Sequence, residues 1–270
     1  MSDAKVVAIA SQKGGVGKTT LALNGSYALA QRGWRTLLID SDPQGSIGFS
    51  IRGELAENAG LAEVLDGSAV LSQSIVRTRL ANFHILPVGK IRPLKIMRWS
   101  VDLEDGRALG TLFNRLRSLY DLIIVDTPPA ISGVAQGVLR QSDGVLIPLQ
   151  AEPLAARSVQ SLLEVIQDLR EEGSAVALAG IVVTMLQTRQ ESSLGIAQES
   201  WRIFPEEVVF DASIPRDPEF LEASAAGVPV ALLRRRPPAV AAVFDQIAAE
   251  LEKRLELEAD DGEGSISLLG

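Results

Sequence analysis

The chain has 270 residues, 46% hydrophobic and 22% charged, which is enough for one sizeable α/β core or at most two small ones. It has no cysteine and one histidine, His84, which excludes disulfides, thiolate metal sites and cysteine nucleophiles and argues against a histidine metal site or a Ser/His pair. No run approaches the ~20 apolar residues of a membrane span, Met1–Lys5 carries no secretory pattern, and the formal net charge of −8 argues at first against a nucleic-acid partner.

Val6–Ala10 is a short apolar, β-branched run that leads directly into a glycine-rich turn. Thr20–Gln31 then reads as a helix closed by Gly33. Arg35–Ile39 is a second buried-strand pattern, ending in Asp40. The pattern recurs at Phe83–Leu86, Leu122–Val125, Gly144–Pro148 and Gly180–Met185, with a weaker run at Val208–Phe210. Helical patterns are clearest at Leu103–Leu119, Ala156–Arg170 and Leu194–Ile203, and Pro237–Leu257 reads as a last helix. Strands that are apolar throughout and alternate with helices predict a three-layer, doubly wound, mostly parallel sheet covered on both faces. Neither a repeat nor a linker interrupts the pattern, so one domain is expected over 1–257, followed by an acidic, poorly ordered tail over 258–270.

Three predicted strand ends carry polar motifs: Ser11–Thr20, Asp40–Gly45 and Asp126–Pro129. Ligands of open α/β sheets bind at the carboxyl ends of strands, so the three segments are expected to converge. The first contains Lys13-Gly14-Gly15-Val16-Gly17-Lys18-Thr19-Thr20. The ordinary phosphate-loop pattern requires a glycine where Gln12 stands, so the strict motif fails; a second lysine, Lys13, beside a Gly-Gly pair stands in its place. Gly14, Gly15 and Gly17 let backbone amides turn toward phosphate oxygens, and the helix beginning near Lys18 adds free N–H groups and the positive end of its dipole. Lys18 can neutralise β/γ-phosphate charge, and the Thr19 hydroxyl is placed to ligate Mg²⁺.

This string resembles the deviant Walker A motif of the ParA/MinD group of phosphate-loop ATPases, of the SIMIBI-like type. The resemblance extends to Leu37–Gly45, to Tyr120–Pro129 and to Ile214-Pro215-Arg216, and spans roughly residues 5–255. It implies ATP and Mg²⁺ as ligands and a homodimer with ATP sandwiched between subunits, Lys13 reaching across to the partner's phosphates. It also implies that Asp42 orients and deprotonates the attacking water, that Asp40 lies near the Mg²⁺ water shell, and that Asp126 is the Walker B acid. The segment at Pro215, Arg216 and Asp217 is expected to frame adenine. Two departures stand out: Ser41 where the family usually has a hydrophobic residue, and Asp217-Pro218 where most relatives have asparagine after Ile-Pro-Arg.

The charge is unevenly distributed. Seven acids against two bases lie in 250–270, whereas Gly67–Val101 and Ala223–Phe244 contain bases and no acid. Positive charge segregated in this way reopens the case for DNA. Within the family, the iron–sulfur reductases need cysteines that are absent here. The MinD branch uses a basic amphipathic C-terminal helix on membranes, whereas the polar face of Val243–Leu257 is mostly glutamate, so no stable membrane association is expected. The ParA branch fits best. It implies a cytoplasmic, nucleoid-associated protein that binds DNA non-specifically, with Arg234, Arg235 and Arg236 ranked first as contacts and Arg189 and Arg202 as a second region. It also implies an adaptor protein that stimulates hydrolysis and links the ATPase to a cargo such as a plasmid, a chromosome or a protein organelle. The Pro229–Pro238 segment faintly resembles ParA-like proteins that distribute carboxysomes. The alternatives are a MinD-like regulator at a protein or membrane surface and a metabolic ligase on the same fold.

Overall fold

The computed structural model describes residues 4–45, 47–48, 58–152, 155–187, 195 and 204–257. Strands β1 (Lys5–Ile9), β2 (Thr36–Asp40), β3 (Val76–Arg77), β4 (Phe83–Leu86), β5 (Leu122–Asp126), β6 (Gly144–Gln150) and β7 (Ala177–Thr184) form one sheet. Its order is β3-β4-β2-β5-β1-β6-β7, and every pairing is parallel except β3 with β4. The helices are α1 (Lys18–Gln31), α2 (Leu61–Leu65), α3 (Leu71–Ser74), α4 (Ile96–Asp102), α5 (Arg107–Arg117), α6 (Val134–Arg140), α7 (Ala155–Glu171), α8 (Pro218–Ala226) and α9 (Ala242–Arg254).

Because side chains alternate across a strand, the apolar runs feed two cores. Val7, Ile9, Leu38, Ile85 and Ile124 pack with α1 and α9, whereas Val6, Ala8, Leu37, Ile39, Ile123 and Val125 pack with α5, α6 and α7. This is the predicted three-layer arrangement. The apolar stripe of α9, made of Phe244, Ile247 and Leu251, is buried in the core it shares with α1. Each such side chain contributes about 1.5–3 kcal/mol when removed from water. Its glutamates are engaged too: Glu252 bonds Arg32 and Trp34, and Glu250 bonds Arg254.

Several boundaries differ from expectation for local reasons. The helix predicted over Leu103–Leu119 begins only at Arg107, because the Asp105 carboxylate accepts the Arg107 N–H and Gly106 turns the chain at φ +72°. The prolines at 237 and 238 keep the last helix from starting there; a 3₁₀ turn at Ala239–Ala241 precedes α9. The run at Val208–Phe210 is not a strand: a 3₁₀ turn at Glu206–Val208 is followed by a single bridge from Val209 to Ile181. Apart from Gly195, the helix expected at Leu194–Ile203 lies outside the described residues, as does the tail 258–270.

Candidate functional site

The carboxyl ends of β2, β5 and β1 lie side by side, so the three polar motifs meet at one end of the sheet. Asp126 is the register partner of both Ile9 and Asp40. Beyond β1 the chain turns through Gly15 at φ +75° and Gly17 at φ +90°, left-handed backbone that other residues adopt only at a cost. Gly17 is the N-cap of α1, no side chain caps the helix, and its first turn contains no acid. Its leading N–H groups therefore remain available to an anion, with the helix dipole favouring negative charge.

Lys18 is 7% exposed, and its Nζ donates to the Lys13 carbonyl at 3.0 Å, closing the loop on itself. Burial lowers its pKa, while Asp126 and Asp42 pull it back toward the charged form. Thr19 Oγ1 donates to Asp126 Oδ2 at 2.7 Å, and Asp126 Oδ1 is buried with no hydrogen-bond partner among the described residues. Burial pushes the Asp126 carboxyl up to about 7 against the opposing Thr19 hydrogen bond, and nearby Asp42 adds to the rise. An orphaned carboxylate oxygen beside a hydroxyl fits Mg²⁺, which takes one or two protein oxygens and completes its shell with phosphate and water.

The buried acid has a consequence for stability. Between the ordinary carboxylate range and about 7, the folded chain binds more protons at Asp126 than the unfolded chain does. This group therefore lowers stability as pH rises through that window. Nucleotide-free wild type should lose thermal stability from about pH 5 to about pH 8 relative to Asp126→Asn, which cannot ionise. Parallel melting temperatures for the two proteins across that range would remove the buried charge as the cause.

Asp40, at the end of β2, is fully buried. Its two oxygens accept the N–H groups of Asp42 at 3.0 Å and Ile47 at 3.1 Å, so it braces the loop after β2. Burial and then the proximity of Asp126 raise its carboxyl well above the usual range. Thr19 and Asp126 thus offer the oxygen atoms that could ligate a metal directly. Ser41 is fully buried, and its hydroxyl donates to the Asp126 carbonyl at 2.7 Å, which satisfies a buried polar side chain. Asp42 is held by Gln44 N–H donating to its Oδ1 at 2.9 Å.

A cavity of about 380 Å³ begins at Gly14, Gly15, Gly17, Lys18, Thr19 and Thr20, passes Asp42 and Pro129, and ends against Leu23, Asn24, Met185, Phe220, Ala223, Ser224 and Val228. That volume is within the usual range for a small-ligand site. Pro215, Arg216 and Asp217 do not line it. Asp217 instead caps α8 by accepting the Glu219 N–H at 2.8 Å, with Pro218 in the first turn. Aspartate serves this purpose as well as asparagine does. The Arg216 N–H bonds the Leu186 carbonyl, so the segment fixes α8, and α8 supplies the wall.

Asn24 and Met185 escaped the sequence reading. Asn24 donates to the Thr20 carbonyl at 2.8 Å and accepts the Val230 N–H at 2.8 Å, joining α1 to the far wall. An amide within an otherwise apolar helix was the available signal. Met185 has φ +54°, visible only in the backbone.

The cationic residues divide. Lys13 is half-buried, does not line the cavity and makes no ion pair among the described residues. Arg234 bonds Glu219 and Glu222 of α8, each at 3.0 Å, whereas Arg235 and Arg236 are exposed. Arg189 and Arg202 lie outside the described residues.

Comparison with known proteins fits this geometry. A family model described as "AAA domain" (AAA_31) matches residues 4–178. The chromosome partitioning protein ParA of Caulobacter vibrioides is 35% identical over 237 residues, covering 84% of this chain and 86% of its own length. The chain belongs to the ParA/MinD group of deviant Walker A ATPases. This ParA/MinD-group protein is an ATP hydrolase, of the ParA/Soj partition-ATPase family. The Cyanothece McdA–ATP complex, an Asp-to-Ala variant, shares its fold with a TM-score of 0.78 at 22% identity, covering 96% of this chain and 98% of that one. The cobyrinic acid a,c-diamide synthase of Mycobacterium smegmatis, with bound ATP analogue and magnesium, has a TM-score of 0.77 at 28% identity over 94% and 96% of the two chains. ATP and Mg²⁺ are thus the nucleotide and metal of the ParA/MinD group. No helix among the described residues of this member is long and apolar enough to cross a membrane.

Proposed function

We propose that this ParA-type ATPase binds Mg·ATP, dimerises with the nucleotides between subunits, holds DNA without sequence preference in that state, and releases it after hydrolysis. The observation that carries this reading is the pair of lysines. Lys18 is buried inside the loop, while Lys13 is only half-buried, outside the cavity wall and without an ion-pair partner among the described residues. A second cation left in that position suits the phosphates of a facing subunit, where it stabilises charge on the transferring group as an arginine finger does.

In hydrolysis a water oxygen bonds to the γ-phosphorus, the bond to the ADP oxygen breaks, and Asp42 takes the water proton. Lys18 and the α1 amides hold the phosphates, and Thr19 with Asp126 would hold Mg²⁺, which neutralises phosphate charge when bound. The adenine is seated against Phe220, Ala223, Ser224 and Val228. Loss of the γ-phosphate removes the link between subunits, so hydrolysis times the release of DNA. An adaptor protein would couple this cycle to a plasmid, a chromosome or a protein organelle such as a carboxysome. Recovery of the protein held by an ATP-trapped dimer identifies it.

The test is ATP-dependent DNA retention across a salt series. Retention should require ATP and fall steeply with salt, at about 0.9 logarithmic units per phosphate contacted. Arg234/Arg235/Arg236→Glu should reduce retention at least tenfold and flatten the salt slope while leaving the ATP dimer intact. Unchanged retention in that variant would remove the cluster from the interface. Retention on anionic vesicles with none on DNA would favour the MinD-like reading.

A further inference from the structure

A second cavity lies at the other end of the sheet from the phosphate loop, on the β3–β4 side. It encloses about 340 Å³, and Arg77, Arg115, His84, Tyr120 and Ser72 line it together with the apolar Val70, Leu71, Ile75 and Leu119. Pairing of β3 with β4 sets Arg77 directly across from His84, so both side chains stand on one face of the sheet. The end of α5 brings Arg115, and the following turn brings Tyr120. The Tyr120 hydroxyl lies 2.9 Å from His84 Nδ1, and the two rings meet edge to face at 5.7 Å, which fixes the imidazole.

The charges in this cavity are unbalanced. Two guanidinium groups and an imidazole share its wall, and no carboxylate lines it. Elsewhere the arginines of adjoining segments hold acids: Arg35 with Asp121, Arg98 with Asp102, Arg107 with Asp105 and Arg117 with Asp143. Arg77 and Arg115 have no such partner among the described residues, in a chain with 34 acids and 26 bases. Burial and the nearby Arg77 charge hold His84 below its ordinary pKa, so the ring itself carries little of the positive charge. The positive charge of the wall therefore comes from the two guanidinium groups, Arg77 of β3 and Arg115 of α5. The rim is apolar as well, with Val70 57% and Leu119 54% exposed.

We propose that this cavity is a second ligand site, for a small anion with an apolar body: a carboxylate or phosphate ester gripped by Arg77 and Arg115, its body against Val70, Ile75 and Leu119. Arginine forks match both anions bidentately, and the volume suits a ligand of one ring or a short branched chain. Neither the phosphate loop nor the dimer is needed for this binding.

His84 is the only histidine, so its ring resonances report on the site without ambiguity. The experiment titrates the full chain, its phosphate loop filled with Mg·ADP, separately with phenyl phosphate, cyclohexanecarboxylate and inorganic phosphate while following the His84 ring signals. Phenyl phosphate or cyclohexanecarboxylate should give a saturable shift at millimolar concentration and raise the His84 pKa, because an anion offsets Arg77. The organic anion that saturates lower identifies the headgroup. Arg77→Ala/Arg115→Ala should weaken binding at least tenfold, while Arg79→Ala, whose side chain lies outside the cavity, should bind as wild type does. No saturable shift with either organic anion, an unchanged response in the double variant, or equal binding of inorganic phosphate would overturn the proposal.

Discussion

Lys18→Ala is expected to lower the affinity for Mg·ATP by at least 100-fold while leaving the melting temperature of the nucleotide-free protein close to that of wild type. Lys18 is almost fully enclosed, and in the free protein its charge faces Asp126, Asp42 and the Lys13 carbonyl. A β/γ-phosphate in the loop would find there the one buried side-chain cation lining the cavity. Removing one partner of a buried, hydrogen-bonded charge pair costs about 3–5 kcal/mol, which is roughly two to four decades in affinity. Stability changes little because burial of the ammonium is itself unfavourable, and its loss offsets the lost bond to Lys13. Calorimetric titration with ATP and Mg²⁺ measures the effect. Affinity within about threefold of wild type would show that the α1 amides alone carry the phosphates.

Asp42→Ala is the complementary case. Asp42 lines the cavity beside Lys18 and is held by the Gln44 amide, so its carboxylate stands beside the phosphate site without occupying it. Ground-state contacts to ATP lie in the loop and survive the change, so affinity should remain near wild type. Loss of a positioned base removes about 10²–10⁴-fold from the chemical step. The variant should therefore turn over at least 100 times more slowly and, on the proposed cycle, accumulate as a long-lived ATP dimer. Asp42→Asn separates the two parts of the role: it keeps the bond to Gln44 but cannot take a proton, and it should fail nearly as badly. Single-turnover hydrolysis with light scattering reads both quantities, and normal hydrolysis in the alanine variant would sink the water-activating role.

The strands and the phosphate loop were legible because each rests on contiguous residues. An apolar run such as Leu122–Val125 is buried on both faces and needs no partner to be recognised. The loop from Lys13 to Thr20 places all of its phosphate-binding groups within one strand–helix turn. Element ends were less legible, since Asp105-Gly106 and the two prolines at 237 and 238 act through local capping and backbone limits that periodicity does not register. The far wall of the phosphate-loop cavity was not legible in the sequence. Pro215–Asp217 form the recognisable string, but their work is to cap and hold α8, while the less distinctive Phe220, Ala223 and Ser224 reach the cavity.

The opening charge count shows where linear information stops. Composition alone removed cysteine chemistry, and the loop alone specified a site for phosphate, because those conclusions depend on residue type or on neighbours a few positions apart. The fate of each cation was decided only in three dimensions. Arg234 and the acids of α8 are more than ten positions apart, yet they meet at 3.0 Å, and Arg77, His84, Arg115 and Tyr120 share one cavity wall. Electrostatic energy depends on distance through space and on burial, neither of which net charge records. The same −8 therefore includes a braced arginine, two exposed ones and a pair gathered with no acid to balance them.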